Sequence, residues 1–224
     1  MKGLELSEKF FREQGLPVLR KRFSHLMDYI TVGLVGQGSE CLGFDDEISR
    51  DHDWGASFCI WLPEDLYKKE HKNLQKVYDQ LEVSAAGYPE RNTVPQGRSR
   101  TGILETGTFY YRLIGCRKVP ETNKEWLYAP ETAYACATNG KLFFCSGSEF
   151  EKIRNGLLQY YPEDVRLKKI AARAVTMAQA GQYNYIRCRK RKDQVAVVLS
   201  ISEFMKAACS MIHLLNRHYM PFYK

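Results

Sequence analysis

The sequence predicts an α+β protein, with a mixed sheet flanked by helices followed by an α-helical bundle, and three observations carry that reading. Short β-branched runs ended by glycine or proline occur only in the first part of the chain. Beyond about residue 130, apolar residues recur at helical spacing. Charge divides the same way: residues 1–120 hold 17 basic and 17 acidic side chains, whereas residues 121–224 hold 16 and 9, so the net +7 sits in the second part. A neutral part joined to a basic part reads as two units, 1–125 and 126–224. A content of 44% hydrophobic and 12% aromatic residues excludes a disordered chain.

Pro17, Leu19, Phe23, Leu26 and Ile30 fall on one helical face, which predicts a helix opening at the proline. Ile30-Thr31-Val32-Gly33-Leu34-Val35 then reads as a strand running into the small-residue turn Gly36-Gln37-Gly38-Ser39. An acidic loop leads to Asp51-His52-Asp53 and to a second strand, Phe58-Cys59-Ile60-Trp61-Leu62, closed by Pro63. Glu64 and Asp65 open a helix whose apolar face is Tyr67, Leu74, Tyr78 and Leu81. Residues 84–101 read as a long loop, 102–106 as a third strand and 109–114 as helix. Helices are expected over 133–137, 149–160, 162–180 (stopped by Gly181) and 194–216. Along and just past the last of these, Val198, Ile201, Met205, Cys209, Ile212 and Tyr219 share a stripe expected to be buried.

Seven cysteines without a C-x-x-C pair, a charged N-terminus and no apolar run near the roughly 18 residues of a bilayer span point to a cytoplasmic protein without disulfides. The chemistry concentrates in Gly38-Ser39 and, after eleven intervening residues, Asp51-His52-Asp53. In a strand, residues two apart share a face, so the two carboxylates converge. Such a pair is comfortable around divalent metal, and two Mg²⁺ ions roughly 3.5–4 Å apart clamp the oxygens of a phosphoryl transfer. A glycine turn offers backbone N–H groups and a hydroxyl to phosphate.

Leu34-Val35-Gly36-Gln37-Gly38-Ser39 followed by Arg50-Asp51-His52-Asp53-Trp54-Gly55 resembles the signature of the DNA polymerase β-like nucleotidyltransferase superfamily. Residues 36–61, together with 160–165 and 214–224, resemble more closely a bacterial nucleotidyltransferase-like family with a C-terminal helical domain of unassigned function. The resemblance implies a polymerase β-like core in which Gly38 and Ser39 hold a nucleoside triphosphate, ATP by preference, and Asp51 and Asp53 ligate two Mg²⁺, replaceable by Mn²⁺. A third acid usually completes that metal site and serves as base, and Glu105 in the third strand is the candidate, with Glu131 in reserve. The implied reaction moves AMP to a hydroxyl of a small molecule or macromolecule and releases pyrophosphate. A second expectation is a catalytically inactive nucleotide-binding or regulatory module, akin to an antitoxin. His52 stands where the superfamily prefers an apolar residue.

Among the remaining cations, Lys169 is expected to reach the nucleotide from the second unit, sharing its helix face with Lys168 and Arg173. Arg98 and Arg100 are candidates for phosphate oxygens. The run Arg187-Cys188-Arg189-Lys190-Arg191-Lys192 suits an anionic partner, nucleic acid being possible but not preferred, and no aromatic residue alternates with it as a stacking platform.

Overall fold

The computed structural model describes residues 1–50, 54–81, 87–89 and 100–222. It is an α+β protein built on a small mixed sheet of four strands, β1 (Thr31–Leu34), β2 (Cys59–Leu62), β3 (Gly102–Glu105) and β4 (Lys141–Phe144), in the order β3-β2-β1-β4. β1 pairs antiparallel with β2 and β4, and β2 pairs parallel with β3. Chain order supplies the helices α1 (Gly3–Phe10), α2 (Leu16–Arg22), α3 (Glu64–Asp79), α4 (Thr106–Ile114), α5 (Asn123–Tyr128), α6 (Glu131–Thr138), α7 (Glu149–Leu158), α8 (Glu163–Met177), α9 (Tyr185–Lys190) and α10 (Gln194–Leu215).

Both sheet faces are covered, which is why β2 is a continuous apolar run rather than an alternating one. On one face Ile60 lies with Val18, Leu19, Leu74 and Val77 of α2 and α3. On the other, Trp61 stacks on Phe150 of α7 at 4.0 Å and meets Phe109 of α4 edge-on at 5.4 Å. Trp61 is completely buried, so truncating it to alanine removes about 3–5 kcal/mol of packing.

The N-terminal helix begins earlier than its proline. Gly3 to Arg22 is helical throughout, with a π turn at Phe11–Gly15 in which the Leu16 N–H reaches back to Phe11 O. The wider turn hands over beside Pro17, where a missing N–H costs little. The helix then stops at Arg22, short of the expected Ile30, although Phe23, Leu26 and Ile30 are all core residues. The fourth strand, β4, lies in a stretch whose pattern reads as helical. It brings residues beyond the expected boundary at 125 into the sheet, and α6 and α7 pack with it against the body.

The helical part proper is a hairpin. α8 continues through a π segment, Ala178–Asn184, into α9 and returns along α10. Gly181 does not stop the helix: its missing side chain admits Phe204, whose ring carbon would lie 2.7 Å from a Cβ there. α10 meets α8 through Ala207, Ser210 and Leu214, so the stripe expected to be buried is the exposed one, with Val198, Ile201, Met205 and Ile212 from 41% to 64% accessible. By length and mean hydropathy, α10 also meets the composition of a membrane span, unlike the expectation from the sequence, and little of it is buried.

Candidate functional site

β1 leaves the sheet through Gly36 and Gly38, with φ of +112° and +137°, in the region that favours glycine. Gly36 is clamped by the Asn139 side chain: its N–H donates to Oδ1 at 2.8 Å, and Nδ2 donates to its carbonyl at 2.8 Å. Asn139 stands between α6 and β4, and its own carbonyl and that of Thr138 accept from Arg154 of α7, at 3.3 and 2.6 Å. Arg154 thus fixes Asn139, and Asn139 fixes the turn. Ser39 begins a tight turn in which Cys41 N and Phe44 N donate to Gly38 O and Ser39 O. The buried Glu40 carboxylate folds beneath Gly38, within 2.8 Å of where a Cβ would stand.

Because β1 and β2 are antiparallel, the chain enters β2 at the end of the sheet where β1 leaves it. That end therefore carries both the glycine turn and the described entry to β2, residues 54–58. Asp51, His52, Asp53 and Arg98 lie outside the described residues. On one flank the Arg50 guanidinium covers the Trp54 ring at 4.8 Å. The buried Trp54 Nε1 has no hydrogen-bond partner among the described residues. In the acidic loop, Asp45 is committed elsewhere: it accepts from Gly3 N and Leu4 N at 2.7 and 3.1 Å and caps α1.

Glu105 stands at the far end of the sheet from the glycine turn. β3 runs parallel to β2, and Glu105 pairs with Leu62, whereas the turn end is marked by Cys59 and Gly102. Three rows, about 10 Å, separate Glu105 from that end even before β1 extends beyond it. Its carboxylate is already engaged, accepting from Gly107 N and Thr108 N at 2.7 Å as the cap of α4, and from Arg117 at 3.0 Å. Glu64 joins the same Arg117, and the nearby Glu149 carboxyl is held above its usual range by burial and by the charge of Glu105.

Lys169 and the reserve acid Glu131 belong to another cluster. Lys169 lies over the Tyr161 ring at 5.0 Å, and burial lowers its ammonium pKa while Glu131 opposes the shift. Glu131 is buried and accepts from Arg173 at 2.9 Å and from Ser210 at 3.0 and 2.8 Å. It opens α6, whereas Asn139 follows that helix's last turn, so eight residues, about 12 Å, separate this cluster from the glycine turn. Arg100 is half-buried, and its carbonyl accepts from the Cys59 thiol at 3.1 Å. In the basic run, Arg187 covers Tyr183 at 4.8 Å and Arg189 covers Tyr185 at 5.8 Å. The tyrosines before the run are therefore partnered by its own arginines.

Asn139, Arg154 and Glu40 were missed from sequence. Asn139-Gly140 carries the signature of a tight turn before a strand, and that was the available signal. Among the described residues no group of three or more His, Cys, Asp or Glu side chains is placed to hold a metal. Among the described residues no two cysteines are joined in a disulfide. No curated protein and no solved structure matches the chain. Residues 126–224, which carry Asn139, Arg154 and the whole hairpin, match the model of a domain of unknown function, DUF4037.

Proposed function

We propose that the chain is a Mg²⁺-dependent nucleotidyltransferase that moves a nucleoside monophosphate, AMP from ATP by preference, to a hydroxyl acceptor with release of pyrophosphate. The observation that carries this reading is the clamped turn Gly36-Gln37-Gly38-Ser39, set at the sheet end through which the chain returns after Asp51 and Asp53. Two glycines at positive φ let the backbone of the turn approach a triphosphate closely, with the Gly36 N–H itself held by Asn139. Two carboxylates two residues apart offer the hard oxygen ligands Mg²⁺ takes, and the bound metal would neutralise charge on the transferring phosphoryl group. The chain's own work is positional: Arg154 and Asn139 hold the turn, and the turn holds the nucleotide.

The test is pyrophosphate release from ATP with Mg²⁺ across candidate hydroxyl acceptors, comparing the native chain with Asp51→Asn and Asp53→Asn. The substitutions are expected to remove turnover while leaving the fold intact. Undiminished release by the double variant would end the proposal. The commitment of Glu105 to Arg117 and the α4 cap supports a second reading, in which the chain binds nucleotide without turning it over. Calorimetry separates the two: heat of ATP binding without pyrophosphate release favours the regulatory module, and absence of binding removes both.

A further inference from the structure

We infer that α10 docks on α10 of a second copy of this chain, antiparallel, through the exposed stripe Val198, Ile201, Met205, Ala208, Ile212 and Leu215. These residues are spaced 3, 4, 3, 4 and 3 apart, the repeat of a coiled-coil seam. They lie opposite Ala207, Ser210 and Leu214, the residues by which α10 holds α8. Five of the six are large and stay 41% to 64% accessible. Neither the seam nor its flanks, Val197, Ser202, Phe204, Cys209 and Met211, carries a charge. The helix's two ionic side chains, Glu203 and Lys206, pair with each other at 3.0 Å.

The stripe is complementary to its own reverse. About a two-fold axis midway between Met205 and Ala208, Val198 faces Leu215 of the other copy, Ile201 faces Ile212 and Met205 faces Ala208. Every layer pairs large with large at the ends and large with small at the centre. A parallel pairing would set Ala208 against Ala208 and leave a void. It would also bring the two hairpin tips together, each with five cations among residues 187–192. Reversal keeps those tips apart.

The seam is about 27 Å long. A stable interface buries on the order of 800 Å² per partner, and the seam with its apolar flanks runs along most of α10, from Val197 to Leu215. A bilayer is a poorer occupant. Ser210 ties α10 to the buried Glu131 and Arg173, and the adjoining α8 carries Arg166, Lys168, Lys169 and Arg173.

Sedimentation of the purified chain is expected to show a dimer at micromolar concentration. Ile201→Glu with Ile212→Glu sets carboxylates against each other in two layers and is expected to raise the dissociation constant about 100-fold or more, with unchanged circular dichroism. Direction is read by charge rescue: Val198→Glu weakens the dimer, and adding Leu215→Lys to the same chain restores it only when the helices run antiparallel. A native chain that stays monomeric, an unaffected double glutamate variant, failure of the rescue, or association solely with lipid vesicles would each overturn the inference.

Discussion

The two ends of the four-stranded sheet differ in how their polar groups are used. At the end where β1 leaves, Gly36 and Gly38 take positive φ, and the uncharged Asn139 side chain clamps Gly36. At the other end Glu64 and Glu105 converge on Arg117, and Glu105 also caps α4, with Glu149 close by. A carboxylate with three donors already aimed at it is a stabilising device, since moving it to a metal would leave those donors unpaired. One end of the sheet is thus shaped by glycine and an amide, and the other by carboxylates paired with a guanidinium.

The sharpest way to break this contrast is at the turn end. Asp51→Asn or Asp53→Asn is expected to lower pyrophosphate release about 10³-fold or more, because phosphoryl transfer rests on positioning and charge neutralisation. Asn139→Ala comes next. It removes both hydrogen bonds to Gly36, and we expect a loss of about 1–3 kcal/mol in denaturant unfolding. A second-tier drop of about 10–100-fold in turnover should accompany it, since the residue positions the turn and does not touch the substrate. Equal loss with Arg154→Ala would place both residues on one line of support. A normal rate in a destabilised Asn139→Ala would show that the turn needs no clamp.

At the far end the ordering reverses, with stability changing and activity not. Glu105→Ala deletes the α4 cap and the Arg117 pair and is expected to cost about 1–2 kcal/mol. Pyrophosphate release per folded molecule should stay at the native rate. Collapse of that rate with normal stability would return Glu105 to the metal site.

The elements around the turn were legible because their signals are local. Ile30 to Val35 followed by Gly-Gln-Gly-Ser is β-branched sequence ending in residues that tolerate positive φ, and the structure has β1 and its turn there. Phe58 to Leu62, Glu64 onward and Gly102 onward were equally local and became β2, α3 and β3. The misreadings are non-local. Lys141-Leu142-Phe143-Phe144 has no alternation of its own and is a strand because β1 offers it an edge. Val198 and Ala207 are both apolar, and which one faces α8 depends on the fit of small residues between two helices. The place of Glu105 in the sheet has a signal in the sequence order. A strand, a helix and a strand in succession favour a parallel pair, and a parallel β3 must end away from the point where β2 begins.

The smallest expected effect probes the far end by pH. Glu149 opens α7 beside Glu105, and burial, then that neighbouring charge, raises its carboxyl pKa from an ordinary 4.5. A carboxyl whose folded pKa exceeds its unfolded pKa binds its proton more readily in the folded chain. Its ionised form therefore weakens the fold above the folded pKa, and the penalty fades as pH falls through that value towards 4.5. Glu149→Gln removes the penalty and is expected to stabilise the protein at pH 7 by a few tenths of a kcal/mol at most. Solvent screens the exposed edge of the side chain, and the start of α7 favours its charge, so both limit the gain. The difference from the native chain should shrink as the pH of a thermal melt is lowered from 7 to about 4. Part of it should also vanish in an Glu105→Ala background, because one of the two repelling charges is then gone. A difference that ignores pH would mean that Glu149 acts through packing, and the charged end of the sheet would then consist of Glu64, Glu105 and Arg117 alone.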